Sequence, residues 1–249
     1  MGIGVDVGGS GIKAASVDIA TGTVTGRIRV PTPQPATPDA VAAAVAGLVA
    51  QLADHGPIGC TLPGVVLHGV LHSAAHIDES WIGTDASALF SRATERPCVV
   101  VNDADAAGIA EARFGAARRR AGVVITVTVG TGVGTALLLD GLLVPNAELG
   151  HVVVEGQLAD EWVSDATRTT EDLSWKRWAR RFDAYLTHLH DILWPELFVV
   201  GGGIVKHAEK FVKRIDPGCE VKIASLGNLA GIAGAALVAQ EAAPRSLTF

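Results

Sequence analysis

GVDVGGSGIK, at residues 4–13, decides the fold of this 249-residue chain, and VTVGTGVGTAL, at residues 127–137, is its counterpart near mid-chain. In both stretches, alternating β-branched residues lead into a cluster of Gly with Ser or Thr, and an apolar run follows. Glycine permits positive φ and close approach of the backbone, and successive free N–H groups in such a turn form a concavity that binds anions. Two such turns, about a domain apart, predict two lobes that close on one phosphoryl group, as in a kinase.

The composition predicts a globular protein with an aliphatic core. Hydrophobic residues make up 49% of the chain but aromatic residues only 5%, so Ala, Val, Leu and Ile must supply most of the buried volume. The net charge of −6 argues against a nucleic-acid partner, because binding nucleic acid needs a dominant basic face. Cys60, Cys98 and Cys219 are far apart and odd in number, which predicts free thiols rather than disulfides or a zinc site.

The sequence carries no signal for a membrane. Its apolar runs are shorter than the roughly 18 residues of a transmembrane helix. The first predicted strand begins directly after Met1, without a basic leader or an apolar signal segment. We therefore expect a soluble, cytoplasmic protein with no membrane partner.

One pattern of three strands is used twice along the chain. The first set is predicted at residues 3–7, 12–17 and 24–30, and the second at residues 123–129, 133–139 and 142–144. In each set, a glycine turn joins the first two strands as a hairpin. Further strands are expected at residues 58–62, 98–101 and 197–200, which are short continuous apolar runs.

Helices are expected to cover these strands. Thr37 is the expected N-cap of a helix that Pro38 opens, and further helices are expected at about 171–192 and about 229–240. Trp175 and Trp178 lie three residues apart in the helix expected at about 171–192, and this spacing favours helix packing over a ligand-stacking surface. The expected architecture is an α/β protein with a small lobe, residues 1–102 plus about 229–249, and a large lobe, residues 103–228.

NDADAAG, at residues 102–108, is the candidate for the chemical step. Phosphorylation of a sugar needs a proton acceptor near the attacking hydroxyl. Asp103 follows a buried strand and opens a helix, where the helix dipole favours a carboxylate and where open α/β sheets bind their ligands. The alternative is that Asn102 and Asp103 only cap the helix, a role that also suits Asp105.

ELGH, at residues 148–151, is the candidate sugar-binding segment. The Glu148 carboxylate and the His151 imidazole can each hold adjacent hydroxyls, and Gly150 allows a close approach. The alternative is that this pair lies on the surface by chance.

Short motifs spread over nearly the whole chain resemble one family. In order, they are GVDVGGSGIK, PGVV (63–66), SWIGTDA (80–86), NDADAAG, GTGVG (130–134), LVPNAELGH (143–151), DLSWKRWA (172–179), GGGI (201–204) and AGIAGAAL (230–237). Together they resemble the polyphosphate glucokinases of the ROK sugar-kinase family, and LVPNAELGH with DLSW is far more specific than the glycine turns. The resemblance implies a two-lobed actin-like, ribonuclease H-like fold with a central cleft, and the activity of a hexose kinase.

The resemblance also implies roles for individual residues. Asp103 resembles the catalytic base, which accepts the proton of the sugar 6-hydroxyl. The residues that correspond to the hexose site are Asn102, Glu148, His151, Gly64 and His76. The residues that correspond to the phosphoryl-donor site are Gly8, Gly9, Ser10, Lys13, Gly130, Thr131, Gly132 and Gly202.

Ligands and assembly are implied in the same way. The expected acceptor is glucose or a related hexose, the expected donor is inorganic polyphosphate or ATP, and Mg²⁺ is expected with the donor phosphates. The cysteine cluster that binds zinc in many ROK proteins has no counterpart in this sequence, so no structural zinc is expected. The resemblance also implies a homodimer.

Several positions depart from the family pattern. His76 stands where the family has Asn, Glu79 stands where it has Lys, and Val205 and Gly227 replace a hydroxyl and an amide residue. A polyanionic donor favours cations along its path, so these changes bear on the donor site more than on the sugar site. Two alternatives to a glucokinase therefore stay open: a sugar-binding relative with weakened or lost phosphoryl transfer, and a kinase for another hexose such as mannose.

Overall fold

The N-terminal part of the chain folds around a five-stranded sheet in the computed structural model, which describes residues 1–75 and 77–242. The strands of this part are β1 (Gly2–Gly8), β2 (Gly11–Val17), β3 (Val24–Val30), β4 (Ile58–Leu62), β5 (Val66–Leu67), β6 (Val70–Leu71) and β7 (Cys98–Asn102). The sheet has the order β3-β2-β1-β4-β7, and β5 pairs with β6 in a separate hairpin.

The middle of the chain repeats this arrangement. Its strands are β8 (Val123–Val129), β9 (Val133–Leu139), β10 (Leu142–Val144), β11 (Val153–Val154), β12 (Gln157–Leu158), β13 (Leu197–Gly201) and β14 (Glu220–Ile223). Five of them form a sheet in the order β10-β9-β8-β13-β14, and β11 pairs with β12. Both sheets begin with three antiparallel strands, so the predicted three-strand repeat is confirmed.

Seven α-helices lie in the described part of the chain. They are α1 (Pro38–Val49), α2 (Ala86–Thr94), α3 (Asp103–Phe114), α4 (Ala159–Val163), α5 (Asp165–Thr170), α6 (Trp175–Leu193) and α7 (Ala230–Ala242). Short 3₁₀ segments occupy Glu79–Trp81, Leu149–His151, Gly203–Lys210, Val212–Arg214 and Gly227–Leu229. Within residues 1–75 and 77–242, no helix combines the length and the apolar character needed to span a membrane.

The parallel strands of the first sheet bring several turns to one edge. β1 runs parallel to β4, and β4 runs parallel to β7. Because the carboxyl ends of parallel strands meet at the same edge, the turn after Gly8, the segment after Leu62 and the junction at Asn102 lie along it. In the second sheet, β8 and β13 run parallel and Thr128 pairs with Gly201, so the second glycine turn lies beside Gly202.

Helix α7 packs on the first sheet with almost no space between the backbones. A Cβ atom on Gly4 of β1 would overlap the carbonyl group of Ile232, and one on Gly59 of β4 would overlap that of Ala235. On the other side of α7, a Cβ atom on Gly234 would overlap the carbonyl group of Ala106 in α3. Glycines therefore set the spacing of sheet, α7 and α3.

Aromatic side chains concentrate in the core beneath α6. Trp178 stacks on Phe182 with ring centroids 4.9 Å apart, and Phe211 contacts the Trp178 ring edge-on at 5.1 Å. The indole N–H of Trp178 donates to the carbonyl of Val163, 2.9 Å away. The expected packing role of the tryptophans in this helix is confirmed for Trp178, which is fully buried.

Two differences from the sequence-based elements have local causes. The helix expected from about residue 171 begins at Trp175, because Ser174 caps it by accepting a hydrogen bond from the Arg177 N–H. Residues 171–174 form a turn that separates this helix from the shorter helix α5. Helix α2 and strand β14 were not predicted. Ala86, Leu89, Phe90 and Ala93 are spaced as on one helix face, and Val221 and Ile223 alternate with charged residues as in a strand, but both elements are short.

Contacts divide the chain into two units, Met1–Ala110 with the segment from Leu229, and Glu111–Asn228. The lobes expected from the sequence divide at residue 102, before α3, whereas the boundary between the units falls inside α3. The lobe limits stay a prediction.

We expect Gly59→Ala to destabilise the protein by about 1–3 kcal/mol, because the added methyl group overpacks the contact between β4 and α7. The measurement is urea and thermal unfolding. The matched control is Gly47→Ala in α1, where no described atom lies within 4 Å of the new Cβ atom. It should stabilise the chain by about 0.5–1 kcal/mol through helix propensity. Equal effects of the two substitutions would contradict the role given to Gly59.

Candidate active site

The first glycine turn is held by side chains from outside it. The carbonyl of Gly8 accepts a hydrogen bond from the Thr32 hydroxyl, that of Gly9 from the Gln34 amide at 3.5 Å, and that of Ser10 from the Arg29 guanidinium at 3.1 Å. Since these bonds fix the carbonyl groups, they also fix the direction of the peptide N–H groups. The turn is therefore a preorganised backbone element with a guanidinium beside it.

Lys13 is paired with a carboxylate that the sequence argument did not select. Its Nζ lies 2.8 Å from Oδ2 of Asp6, and both side chains are partly buried. The Asp6 Oδ1 atom accepts from the hydroxyl of Thr61 at 3.1 Å, and Thr61 accepts from the N–H of Val7 at 3.2 Å. A charged residue inside an otherwise apolar strand, directly before the turn, is the signal that could have identified Asp6.

Asn102 joins two parts of the same edge. Its Nδ2 donates to the carbonyl of Gly64 at 3.0 Å, and its Oδ1 accepts from the N–H of Asp105 at 2.9 Å. The side chain is 6% exposed and caps α3. The capping role considered for Asn102 is therefore present in the structure, alongside its contact with Gly64.

Gly64 requires glycine for two reasons. Its φ angle is +155°, and a Cβ atom would overlap the carbonyl group of Ser73. The Ser73 hydroxyl accepts from the N–H of Val65 at 2.9 Å, which fixes the next peptide as well.

Asp103 occupies the first position of α3 and is half-buried. Its Oδ1 atom accepts from the N–H of Ala104 at 2.9 Å. The dipole of α3 favours a negative charge at this end of the helix. Asp103 thus lies at the carboxyl end of β7, on the sheet edge that also carries the first glycine turn two strands away.

The second glycine turn is held by hydrogen bonds to two short helices, α4 and α5. The carbonyl of Gly130 accepts from the N–H of Asp165 at 3.0 Å, at the start of α5. The Asp160 carboxylate, in α4, accepts from the N–H of Val133 at 2.5 Å and lies against Gly132, where a Cβ atom would come within 2.5 Å of it. Asp160 had no recognisable signal in the sequence.

Gly202 lies against the same turn. Its φ angle is +81°, and a Cβ atom would overlap the backbone of Val129. In contrast, no atom of the described residues lies within 4 Å of the place that a Cβ atom would take on Gly130. Gly202 is therefore required by packing, whereas the space around Gly130 is open.

The ELGH segment is attached to β9 of the second unit. The Thr135 hydroxyl donates to the carbonyl of Ala147 and accepts from the N–H of Leu149 at 3.0 Å. Gly150 is buried against the carbonyl of Val133, the residue that follows the second glycine turn. This attachment leaves Glu148 half-buried and His151 exposed at the two ends of a 3₁₀ turn.

A buried tyrosine supports the ELGH backbone. The hydroxyl of Tyr185 donates to the carbonyl of Leu149 at 3.3 Å. Burial raises the pKa of Tyr185 above its ordinary value, with a smaller contribution from the negative charge of Asp160. Tyr185 therefore remains a neutral donor, and it ties α6 to this segment.

Comparisons with known proteins agree on one family. The model of the ROK family matches residues 2–161. The chain belongs to the ROK family. It is 44% identical to the polyphosphate glucokinase of Mycobacterium tuberculosis strain H37Rv, over 95% of this chain and 90% of that protein. It is 40% identical to the polyphosphate glucokinase of Mycobacterium leprae, over 95% of this chain and 74% of that protein.

Solved structures give the same result for the fold. The crystal structure of the inorganic polyphosphate/ATP-glucomannokinase from Arthrobacter sp. strain KM matches with a TM-score of 0.90 and 47% identity, over 95% of this chain and 96% of that chain. A ROK family glucokinase from Streptomyces griseus matches with a TM-score of 0.82 at 24% identity, over 96% and 99% of the two chains, which shows the shared fold. The expected α/β, actin-like ROK sugar-kinase fold is confirmed.

The positions that depart from the ROK pattern have different surroundings. His76 lies outside the described residues. Glu79 is exposed at the start of its 3₁₀ segment, Val205 packs against the aromatic core of the second unit, and Gly227 has a φ angle of +53°. The replacement at Val205 is thus accounted for by packing.

Removal of the Asn102 side chain should loosen the edge that carries Asp103. We expect Asn102→Ala to reduce the free energy of unfolding by about 2–3 kcal/mol, because it removes the cap of α3 and leaves the carbonyl of Gly64 without its donor. Urea unfolding measures this change. The control is Ser174→Ala, which removes only a cap, from α6, and should cost about 1 kcal/mol. If both variants lose the same amount, the bond to Gly64 contributes nothing.

Proposed function

We propose that this ROK-family protein is a kinase that transfers a phosphoryl group from inorganic polyphosphate, ATP or both to the 6-hydroxyl of glucose. The observation that carries the proposal is the position of Asp103, at the start of α3 and on the sheet edge that holds the first glycine turn. Similarity to polyphosphate glucokinases over 95% of the chain supports glucose as the acceptor.

In the proposed reaction, Asp103 acts as the general base. The oxygen of the 6-hydroxyl forms a bond to the terminal phosphorus of the donor while the bond from that phosphorus to the bridging oxygen breaks. The hydroxyl proton passes to the Asp103 carboxylate. Because Asn102 caps α3 and fixes the chain before it, the carboxylate is held at a defined place during this transfer.

The remaining predicted residues divide into two roles. Glu148 and His151 are proposed to hold the sugar hydroxyls, since the bonds of Thr135 fix the segment that carries them. The N–H groups of both glycine turns are proposed to bind donor phosphates, as backbone donors in such turns bind anions. Gly64 is proposed to bring its backbone close to the sugar.

Asp6 is the residue proposed to hold Mg²⁺. Magnesium ions prefer oxygen ligands and keep several waters, so one carboxylate next to the donor turn suits them. The Asp6 carboxylate accepts bonds from Lys13 and Thr61 and, as a carboxylate, has further lone pairs available. When bound, the ion neutralises charge on the donor phosphates.

Asp103→Asn is expected to lower kcat for glucose phosphorylation by at least about 100-fold, because the amide cannot accept the proton. The affinity for glucose should change by less than about twofold. The measurements are formation of glucose 6-phosphate and calorimetric titration with glucose. Asp39→Asn is the control, since Asp39 is also exposed to the dipole of a helix N-terminus, in the first turn of α1.

Either of two results would overturn the assignment of Asp103. If Asp103→Asn keeps wild-type turnover, Asp103 is not the base. If the wild-type protein binds glucose but turns it over with neither polyphosphate nor ATP, the chain is a sugar-binding relative rather than a kinase.

A second acceptor is favoured by one observation. The Arthrobacter protein, 47% identical to this chain, is called a glucomannokinase. We therefore propose mannose as a further substrate, tested in the same assay in place of glucose.

We also propose that the protein acts in the cytoplasm as a homodimer. Its three cysteines are free thiols, which suits a reducing compartment. The edge strand β10 presents Leu142, 75% exposed, opposite the exposed Leu139 of β9. An exposed apolar strand edge is a surface that a second copy could cover. The net charge of −6 supports the absence of a nucleic-acid partner.

Leu142→Asp should halve the molar mass measured by light scattering, because a carboxylate in the proposed interface disfavours association. Ile192→Asp, on the exposed end of α6, introduces the same charge elsewhere and should leave the mass unchanged. A wild-type protein that is monomeric at high concentration would exclude the dimer.

A further inference from the structure

A cationic cavity in the second unit takes no part in the site described above. It has a volume of about 370 Å³ and is lined by Glu155, Trp162, Arg177, Arg180 and Arg181. The lining contains three arginines and only one carboxylate, in a protein whose net charge is −6. This cavity is called the arginine cavity below.

The arginines lie at the end of α6 where cations are least favourable. The helix begins Trp-Lys-Arg-Trp-Ala-Arg-Arg, with Lys176, Arg177, Arg180 and Arg181 in its first two turns and no acidic residue in the first turn of its sequence. The N-terminus of a helix carries the positive end of the dipole, which acts mainly within the first turn, so the charges of Lys176 and Arg177 oppose it. Helix stability therefore does not explain the cluster, whereas binding of an anion would relieve the repulsion.

One arginine of the cavity is fixed and two are exposed. The Arg181 guanidinium donates to the carbonyl of Trp162 at 3.3 Å and to the carboxylate of Glu171 at 2.8 Å, and it lies 5.7 Å from the centre of the Trp162 ring. Arg177 and Arg180 are exposed. The guanidinium fork matches phosphate oxygens in pairs, so these two can bind phosphates without breaking a described contact.

Helix α4 connects the arginine cavity to the second glycine turn. Asp160 of α4 holds the N–H of Val133 beside that turn, and two residues later Trp162 lines the cavity. The carbonyl groups of Trp162 and Val163 accept from Arg181 and Trp178 of α6. The turn and the arginines are thus fixed to opposite parts of the same five-residue helix.

We propose that the arginine cavity binds phosphates of a long-chain polyphosphate donor that lie beyond the phosphates held at the second glycine turn. The inference rests on the proposed function and adds a selective role: the cavity favours long polyphosphate over short donors. A linear polymer with one negative charge per phosphate can reach both places. In this proposal the phosphates of tripolyphosphate or of ATP all lie at the glycine turns, and only a longer polymer has further phosphates left for the cavity.

The test compares two double variants that each remove two positive charges. Arg177→Gln/Arg180→Gln alters the cavity, and Arg118→Gln/Arg119→Gln alters exposed arginines on the segment after α3. Glucose phosphorylation is measured for each with polyphosphate of several hundred units and with tripolyphosphate. The measured quantity is the KM for long polyphosphate divided by the KM for tripolyphosphate. This ratio should rise about tenfold in the cavity variant, because the KM for the long polymer rises, and should keep its wild-type value in the control.

A direct binding measurement separates this proposal from the proposed function. Calorimetric titration with long-chain polyphosphate, without glucose, should show weaker binding by the cavity variant and a salt dependence shallower by about 1.5 to 2 in log–log slope. This result is expected whether or not the protein turns over glucose. The thermal midpoint of the cavity variant should equal or exceed that of the wild type, because the positive charge of Arg177 opposes the dipole in the first turn of α6 and is removed.

Three results would overturn the proposal. The first is an unchanged KM ratio together with unchanged polyphosphate binding. The second is an equal rise of KM for long polyphosphate and tripolyphosphate, which would place the arginines at the reacting phosphates. The third is that single-stranded nucleic acid binds the wild type more tightly than polyphosphate and loses this affinity in the cavity variant, which would identify a different polyanion as the ligand.

Discussion

Close packing of α7 on the first sheet is the constraint on which the candidate base depends. Gly4 and Gly59 allow the helix backbone to touch β1 and β4, and Gly234 allows α3 to touch the other side of α7. Because α3 is held at this distance, its first residue stays at the carboxyl edge of the sheet. The chemistry proposed for Asp103 therefore depends on glycines that contact no substrate.

In the second unit, hydrogen bonds hold the proposed ligand-binding segments in place. Asp160 holds the peptide after the second glycine turn, and the N–H groups at the start of α5 hold the carbonyl of Gly130. Thr135 and Tyr185 hold the segment that carries Glu148 and His151. Each proposed ligand-binding segment of this unit is thus fixed by hydrogen bonds from neighbouring elements.

Local signals in the sequence predicted nine of the ten strands in the two five-stranded sheets, and both glycine turns, because alternation and glycine clusters need only a few adjacent residues. Residues that act through distant partners were not predicted: Thr61, the partner of Asp6, lies 55 positions away, and Val133, the partner of Asp160, lies 27 positions away. For Asn102 the sequence left capping and ligand binding open, and the structure shows the cap. The arginine cavity was not predicted from the sequence, since only the fold places Trp162 and Glu155 beside the arginines of α6.

The position of α7 also sets an order of events during synthesis. Residues 111–228 form a unit from one continuous stretch, so all of its contacts can form before the segment from Leu229 is made. The first sheet is made earlier but lacks the helix that covers Gly4 and Gly59 until the last part of the chain is translated. One apolar face of this sheet therefore stays exposed until α7 has been synthesised. Chains in such a state are prone to aggregate and are bound by chaperones. Truncation before Leu229 would make that state permanent.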